Sequence, residues 1–183
     1  MPLPVLLGHG ASGSAASMRP HVDGLKPHGV QATAIDLPHG TAERAVPVFR
    51  QRLVELNRPA VIGGQSFGGR VASMLAAADG TDLVAGLVLL SYPLHRPGHP
   101  DEQRTEHWPH IRCPVLLLTG GADPFAGIAL MEAALPALAN VEMVVYPRAG
   151  HGLRGVLDDA LERIAAFVTR VSASAPTSPD MSV

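Results

Sequence analysis

The chain has 183 residues, 46% hydrophobic and 16% charged, a balance that excludes a disordered chain and suits one domain with a sizeable core. Its 14 basic and 16 acidic residues leave a net charge of −2, with no basic stripe for nucleic acid and no charged block to act as a tail. Cys113 is the only cysteine, which rules out an intrachain disulfide, and the apolar run that starts beside it makes a buried structural thiol the expected role.

Apolar runs alternate with helical patterns along most of the chain. Residues 3–7 read as a strand. Ser17 then caps a helix with Met18, Val22 and Leu25 on one face. Residues 30–35 form the next strand. Val46, Phe49, Leu53 and Leu56 make a helical stripe, in which Pro47 is tolerable only near the first turn. Residues 60–64 are a third strand, and Val71, Leu75 and Ala78 line the helix after it. The continuous apolar run 83–90 marks a central parallel strand covered on both faces. Residues 115–119 give another strand, Ile128, Met131 and Leu135 a helix, and residues 141–146 the last strand. A closing helix carries Val156, Leu157, Leu161, Ile164 and Val168. Strand and helix in alternation predict an α/β three-layer αβα sandwich with about six parallel strands in one domain over residues 1–171. The Ser/Pro/Ala-rich segment 172–183 is expected to be a flexible tail. The one long connection, 91–113, holds Pro93, Pro97, Pro100 and Pro109, which oppose a long helix; a loop or short irregular cap is expected there.

The segment Gly64-Gln65-Ser66-Phe67-Gly68 is G-x-S-x-G between a strand and a helix, the setting of a nucleophile elbow. In a parallel sheet, functional groups gather at the carboxyl ends of strands. Four such ends carry suggestive residues: 9–13, 65–67, 120–125 and 148–152. They set Ser66, Asp123 and His151 in the chain order of a Ser-Asp-His triad. A serine hydroxyl needs a base beside it to attack at neutral pH, and histidine suits that task. His151 would take the proton from Ser66, and Asp123 would hold the imidazole in the working tautomer. The backbone N–H groups of Phe67 and Ala11 are the candidate oxyanion donors.

Competing readings attach to several of these residues. Asp123 sits where it could simply cap the following helix, and Asp36, at the end of the second strand, is the alternative acid. His9 is expected to brace the oxyanion loop. His9, Gln65, Tyr92, His95 and Phe125 are the candidate lining of the substrate pocket. His95, Arg104 and His107 read either as the mouth of that pocket or as a polar loop face; the loop face is the reading taken. A metal site from His95, His99, His107 and His110 fits no familiar zinc spacing.

On the order Ser66, Asp123, His151 and the elbow, the chain resembles the α/β-hydrolase superfamily over about residues 3–171, in its minimal form. Within it the chain is similar to small hydrolases related to dienelactone hydrolases. It looks closer still to bacterial proteins that share a domain with testis-expressed protein 30 and with a scaffold subunit of a histone acetyltransferase complex. Gly68-Gly69-Arg70-Val71-Ala72, Leu89-Leu90-Ser91-Tyr92-Pro93-Leu94-His95, Arg104-Thr105-Glu106-His107, Asp123-Pro124-Phe125 and Gly150-His151 carry that closer match. The chain departs from dienelactone hydrolases in having Ser66 where they use a cysteine. It also has only the 91–113 loop where larger relatives often insert a cap domain, so a lightly covered site for small or exposed acyl groups is implied.

The expectation is a serine hydrolase that needs no cofactor and no metal, and that cleaves an ester or thioester through an acyl-enzyme. Acyl transfer or perhydrolysis on the same triad, or a non-catalytic interaction domain that keeps the fold, are the alternatives. Its partner is expected to be a small-molecule acyl substrate, with neither nucleic acid nor membrane. An exposed outer strand allows a homodimer as well as a monomer. The start, Met1-Pro2-Leu3-Pro4-Val5, lacks the pattern of a signal peptide, and no apolar run approaches the roughly 18 residues that span a membrane, so a cytoplasmic location is expected.

Overall fold

In the computed structural model, which describes residues 2–78 and 82–174, six strands form one parallel sheet. The elements follow in the order β1 (Val5–Gly8), α1 (Arg19–Leu25), β2 (Ala32–Ile35), α2 (Ala42–Leu56), β3 (Ala60–Gln65), α3 (Phe67–Ala77), β4 (Val84–Leu90), β5 (Val115–Gly120), α4 (Ile128–Ala134), β6 (Val141–Tyr146) and α5 (Leu157–Ser174). The strands lie side by side as β2-β1-β3-β4-β5-β6, all parallel. The chain runs outward from β1 to β2, then returns to the other side of β1 with β3. That reversal opens a crevice at the carboxyl ends of β1 and β3, the place where sheets of this kind bind ligands.

Side chains of a strand alternate between its two faces, and here both faces are buried. Leu6, Ile62, Leu87, Leu89 and Leu117 pack beneath Phe49 and Leu53 of α2 and Val71 and Leu75 of α3. Val5, Leu7, Val61, Val88, Leu90, Leu116 and Leu118 face the other way, against Leu25 of α1 and Leu161, Ile164 and Val168 of α5. The result is the expected three-layer sandwich. Among the described residues no helix is long and apolar enough to cross a membrane.

Several local expectations change. Ser17 does not cap a helix: it lies inside a 3-10 turn, Ala15–Met18, and its Oγ donates to the carbonyl of Ser14 at 2.6 Å. Thr41, not a residue near Val46, precedes α2, so Pro47 sits in the helix interior rather than in its first turn. Its missing N–H leaves the carbonyl of Glu43, an exposed residue, without its intrahelical donor; an exposed carbonyl can turn to solvent instead. At the other end, α5 runs past Val171 to Ser174. Ser172 explains the extension, since its Oγ donates to the carbonyl of Val168 at 2.6 Å and accepts the N–H of Leu3 at 2.9 Å. The remainder of the expected tail, 175–183, lies outside the described residues.

The 91–113 connection has only a 3-10 turn, Trp108–His110, as its proline content predicts. It nevertheless completes the core. Tyr92, Leu94, Trp108 and Ile111 are buried against α3 and the sheet, where a crossover helix between β4 and β5 would otherwise lie. The rings of Tyr92 and Trp108 meet at 5.1 Å, tilted by 59°.

Candidate active site

Ser66 joins β3 to α3 with φ 50° and ψ −110°, a backbone state that an L-residue adopts only under strain. The surroundings hold it there. Its N–H donates to the carbonyl of Leu90 at 2.8 Å, and its own carbonyl accepts the N–H of Arg70 at 3.0 Å. The first turn of α3 comes so close to β1 that a Cβ on Gly68 would lie 2.2 Å from the carbonyl carbon of Gly8. Only glycine permits that approach, and it seats the serine at the crevice between β1 and β3.

The hydroxyl of Ser66 lies 2.8 Å from His151 Nε2, and His151 Nδ1 donates to Asp123 Oδ2 at 2.8 Å. The other oxygen of Asp123, Oδ1, accepts the N–H of Phe125 at 2.8 Å. Asp123 has a fully buried side chain, while His151 keeps about a quarter of its surface open at 26%. Because a carboxylate only accepts, Nδ1 carries the imidazole proton and Nε2 is left to accept from Ser66. The Phe125 ring lies against the His151 ring, with centroids 4.4 Å apart.

Two loops must agree in position for that relay to form, and the backbone ties them together. The carbonyl of Tyr146 accepts the N–H of Gly121 at 2.8 Å and that of Ala149 at 3.0 Å. Ala122 N–H donates to the carbonyl of Ala149 at 3.0 Å. Gly120 is needed for this closeness, since a Cβ there would stand 2.2 Å from the Ala149 oxygen. Beneath the loop, the Tyr146 hydroxyl donates to Asp159 at 2.6 Å, and Arg163 closes on the same carboxylate. Burial, then that carboxylate, pushes the Tyr146 phenol up to about 12.

The competing acid is committed elsewhere. Asp36 Oδ1 accepts the N–H of Ala15 at 2.6 Å and so pins the 3-10 turn after β1. His9 is buried and braces its loop, as its place after β1 suggested. Its Nδ1 donates to the carbonyl of Gly10 at 2.7 Å, which leaves Nε2 to accept the N–H of Leu37 at 3.0 Å. With both ring nitrogens engaged and the residue 1% exposed, His9 serves the scaffold rather than the pocket lining. His39 Nδ1 donates to the carbonyl of Ala11 at 2.9 Å, a second brace on the same loop that the sequence did not single out. Ala11 is exposed on that loop, and Phe67 opens α3, where a helix leaves its first amides without intrahelical partners.

Tyr92 departs from its expected place in the pocket. It is fully buried, and its hydroxyl donates to the carbonyl of Arg104 at 2.5 Å, so it holds the 91–113 loop down from within. Burial pushes its phenol up to about 12. His95 is 6% exposed; its Nδ1 donates to the carbonyl of Arg96, and its N–H donates to the carbonyl of Phe125 at 3.1 Å. It therefore links the loop to the Asp123 segment. Gln65, half-buried, ends β3 beside the serine. The four loop histidines do not converge: His107 bonds Ser73, His99 lies 3.3 Å from Glu102, and no group of three or more metal-ligating side chains forms among the described residues.

A strained serine at the carboxyl end of β3, hydrogen-bonded to a histidine that is hydrogen-bonded to a buried aspartate, on a minimal three-layer sheet, defines the α/β-hydrolase class. The alpha/beta hydrolase domain family matches residues 3–172, and the chain belongs to that family. Solved structures share the fold at low identity. The monoacylglycerol lipase of Paleococcus ferrophilus is 16% identical with a TM-score of 0.77, over 96% of this chain and 97% of that one. Est1E from Butyrivibrio proteoclasticus is 16% identical with a TM-score of 0.80, over 94% and 89%. A thermophilic esterase from Thermogutta terrifontis is 18% identical with a TM-score of 0.73, over 93% and 90%.

Proposed function

We propose that this chain is a serine hydrolase that cleaves small acyl esters or thioesters through an acyl-enzyme, with Ser66 as nucleophile, His151 as general base and acid, and Asp123 as the group that orients His151. The observation that carries this reading is the continuous relay from Ser66 through His151 to Asp123, with both links at 2.8 Å, built on a strained elbow. Ser66 Oγ attacks the carbonyl carbon as its proton passes to His151 Nε2. The N–H groups of Phe67 and Ala11 stabilise the oxyanion. Collapse of the tetrahedral adduct expels the alcohol or thiol, which takes the proton from His151. Water then attacks the acyl-enzyme, gives a proton to His151, and the acid leaves as that proton returns to Ser66. No cofactor enters any step.

The lipase and esterase relatives support the ester class, and the light cover from 91–113 favours short or exposed acyl groups. Kinship with the dienelactone hydrolase-like proteins, and with the relatives of testis-expressed protein 30, remains our reading of the Arg104–His107 and Gly68–Ala72 segments. We place the working enzyme in the cytoplasm as a monomer or homodimer of one folded domain, without nucleic acid or membrane.

Labelling with a fluorophosphonate, read by intact mass, tests the assignment. One adduct on the wild type and none on Ser66→Ala are expected, followed by turnover in a panel of short esters and thioesters. A folded wild type that takes no adduct would overturn it.

A further inference from the structure

One edge of the sheet is apolar and uncovered. β6, Val141–Tyr146, ends the sheet beyond β5. Its neighbour β5 is buried along its whole length, whereas in β6 only Tyr146 is buried. The register decides which backbone groups of β6 are left over. Val115 N–H donates to the carbonyl of Asn140 at 2.9 Å, and Gly121 N–H to that of Tyr146 at 2.8 Å. Between those bonds Val115 stands opposite Val141, Leu117 opposite Met143 and Thr119 opposite Val145. In a parallel ladder each bonding residue reaches the two neighbours of its opposite number, not that residue itself. Val141, Met143 and Val145 therefore point their N–H and C=O groups outward, to no partner among the described residues.

The side chains of the same three residues share one face of the strand. Val141 and Met143 are only half-buried against the core there, and Val145, also half-buried, joins neither core cluster. Edge strands are ordinarily blunted by proline, lysine or an inward charge. β6 has no proline and no basic residue, and its one acid, Glu142, lies on the other face, paired with Arg170 of α5 at 2.5 Å. The opposite edge is poorer: β2 is four residues, two of them alanine. The two ends of β6 also differ in charge. The amino end borders a groove lined by Asp82, Glu142 and Arg170; Glu142 takes up Arg170, and Asp82 meets no cation among the described residues. The carboxyl end borders a hollow lined by Arg148 and Arg154, neither of which meets a carboxylate among the described residues.

We propose that β6 pairs antiparallel with β6 of a second copy of this chain, about a two-fold axis at Met143, so that one sheet runs through the dimer. Val141 then stands opposite Val145 of the second copy, Met143 opposite Met143, and Val145 opposite Val141. Each of these pairs exchanges both of its backbone hydrogen bonds, and this register leaves none of the outward groups over. The apolar stripe meets its own image, as a two-fold contact requires, and Val145 gains cover that it lacks within one chain. Antiparallel pairing also lays the basic hollow of each copy beside the acidic groove of the other, where a parallel one would bring like ends together. A six-residue edge, about 20 Å long, is a narrow contact, and the groove and hollow extend it. The proposal does not depend on the hydrolase reading of Ser66.

Two measurements on the full chain test it. In sedimentation velocity over a dilution series, the wild type is expected to form a reversible dimer. Val145→Lys puts a charge into the stripe at a residue that packs on neither core cluster, so the fold should hold while the dimer Kd rises at least about ten-fold. In the second, Met143→Cys in a Cys113→Ala background is treated with a short bismaleimide. Cross-linking to a second copy is expected there, and none for Thr33→Cys on β2 in the same background. A wild type that stays monomeric at every concentration would overturn the proposal and leave the edge to a strand from another protein. A dimer that Val145→Lys leaves unchanged, or that links through Thr33→Cys instead of Met143→Cys, forms by another face and overturns it equally. Should Val145→Lys not fold, as read by circular dichroism, the Met143→Cys link decides alone.

Discussion

The N–H of Gly68 donates to the carbonyl of His9 at 2.9 Å, so the first turn of α3 is bonded directly to the loop that follows β1. That bond joins the two segments that carry the proposed oxyanion donors, Phe67 and Ala11. It is short because Gly68 has no Cβ to meet Gly8. Gly68→Ala forces backbone against backbone, where no side chain can swing aside. A loss of about 1–3 kcal/mol is expected, with the serine displaced as the turn retreats. Thermal unfolding and the rate of fluorophosphonate labelling measure the two effects. A variant as stable and as quickly labelled as the wild type would show that the turn has slack the geometry denies.

Asp123→Asn separates orientation from packing. The amide oxygen can still accept the Phe125 N–H, so the buried site keeps its shape. Its NH2 would then face His151 Nδ1, which turns the imidazole to the tautomer with the proton on Nε2. In that form His151 cannot accept from Ser66. A fall in kcat of about 10⁴-fold is expected, as for the same change in a serine protease triad. Loss of the charge-assisted bond should lower stability by no more than about 1.5–3 kcal/mol. Turnover within ten-fold of the wild type would move the orienting role to another acid, and Asp36, bonded to Ala15, would need a large loop shift to take it.

The site was more legible in the sequence than its surroundings. Ser66, Asp123 and His151 each follow an apolar strand in a fixed chain order, and that local pattern places them at one end of a parallel sheet. Strand order also favours Asp123 over Asp36, because β2 lies at the sheet edge beyond β1 and so further from Ser66, while the partner that occupies Asp36, the Ala15 N–H, is a tertiary contact that the sequence does not record. Tyr92 looked like a pocket residue because it follows a strand end. Its true role depends on Trp108 and Arg104 folding back from later in the loop, which no periodicity records. Ser17 and Pro47 failed for a simpler reason, since element ends depend on tertiary bonds that propensity does not see.

Acid stability should carry the mark of His107. Its Nε2 lies 2.8 Å from Ser73 Oγ, whose own proton goes to the carbonyl of Arg70, so Nε2 holds the imidazole proton. Its Nδ1 is buried without a hydrogen-bond partner, with the Glu106 carboxylate 4.0 Å away. Burial first holds His107 below the ordinary histidine value of 6.5; Glu106 pulls it upward, while Arg70 and His110 push it further down. Below 6.5 the unfolded chain takes up a proton that the folded chain refuses, so stability falls as the pH drops toward the lowered folded value. His107→Gln retains a donor for Ser73 and cannot titrate. The loss of melting temperature between pH 7 and pH 5 should therefore be smaller in the variant, with His21, also lowered by burial, accounting for part of the remainder. Identical pH profiles would remove His107 from the account.

Cys113 offers a test that owes nothing to catalysis. The residue is half-buried against the core just before β5, and burial pushes its thiol up to about 11. Alkylation needs the thiolate, and a free cysteine titrates near 8.5. At pH 8 the native protein should therefore react with iodoacetamide about 200-fold more slowly than the urea-unfolded chain, from thiolate fraction alone. The native rate should climb nearly ten-fold per pH unit between 8 and 10. Linkage sets the sign for stability: above the unfolded value, the unfolded chain releases a proton that the folded chain keeps, so stability declines with rising pH. Cys113→Ala should flatten that alkaline decline at some cost in packing. A native thiol that alkylates at pH 8 as fast as the unfolded one would mean that the 91–113 loop opens far more readily than its buried Trp108 and Tyr92 imply.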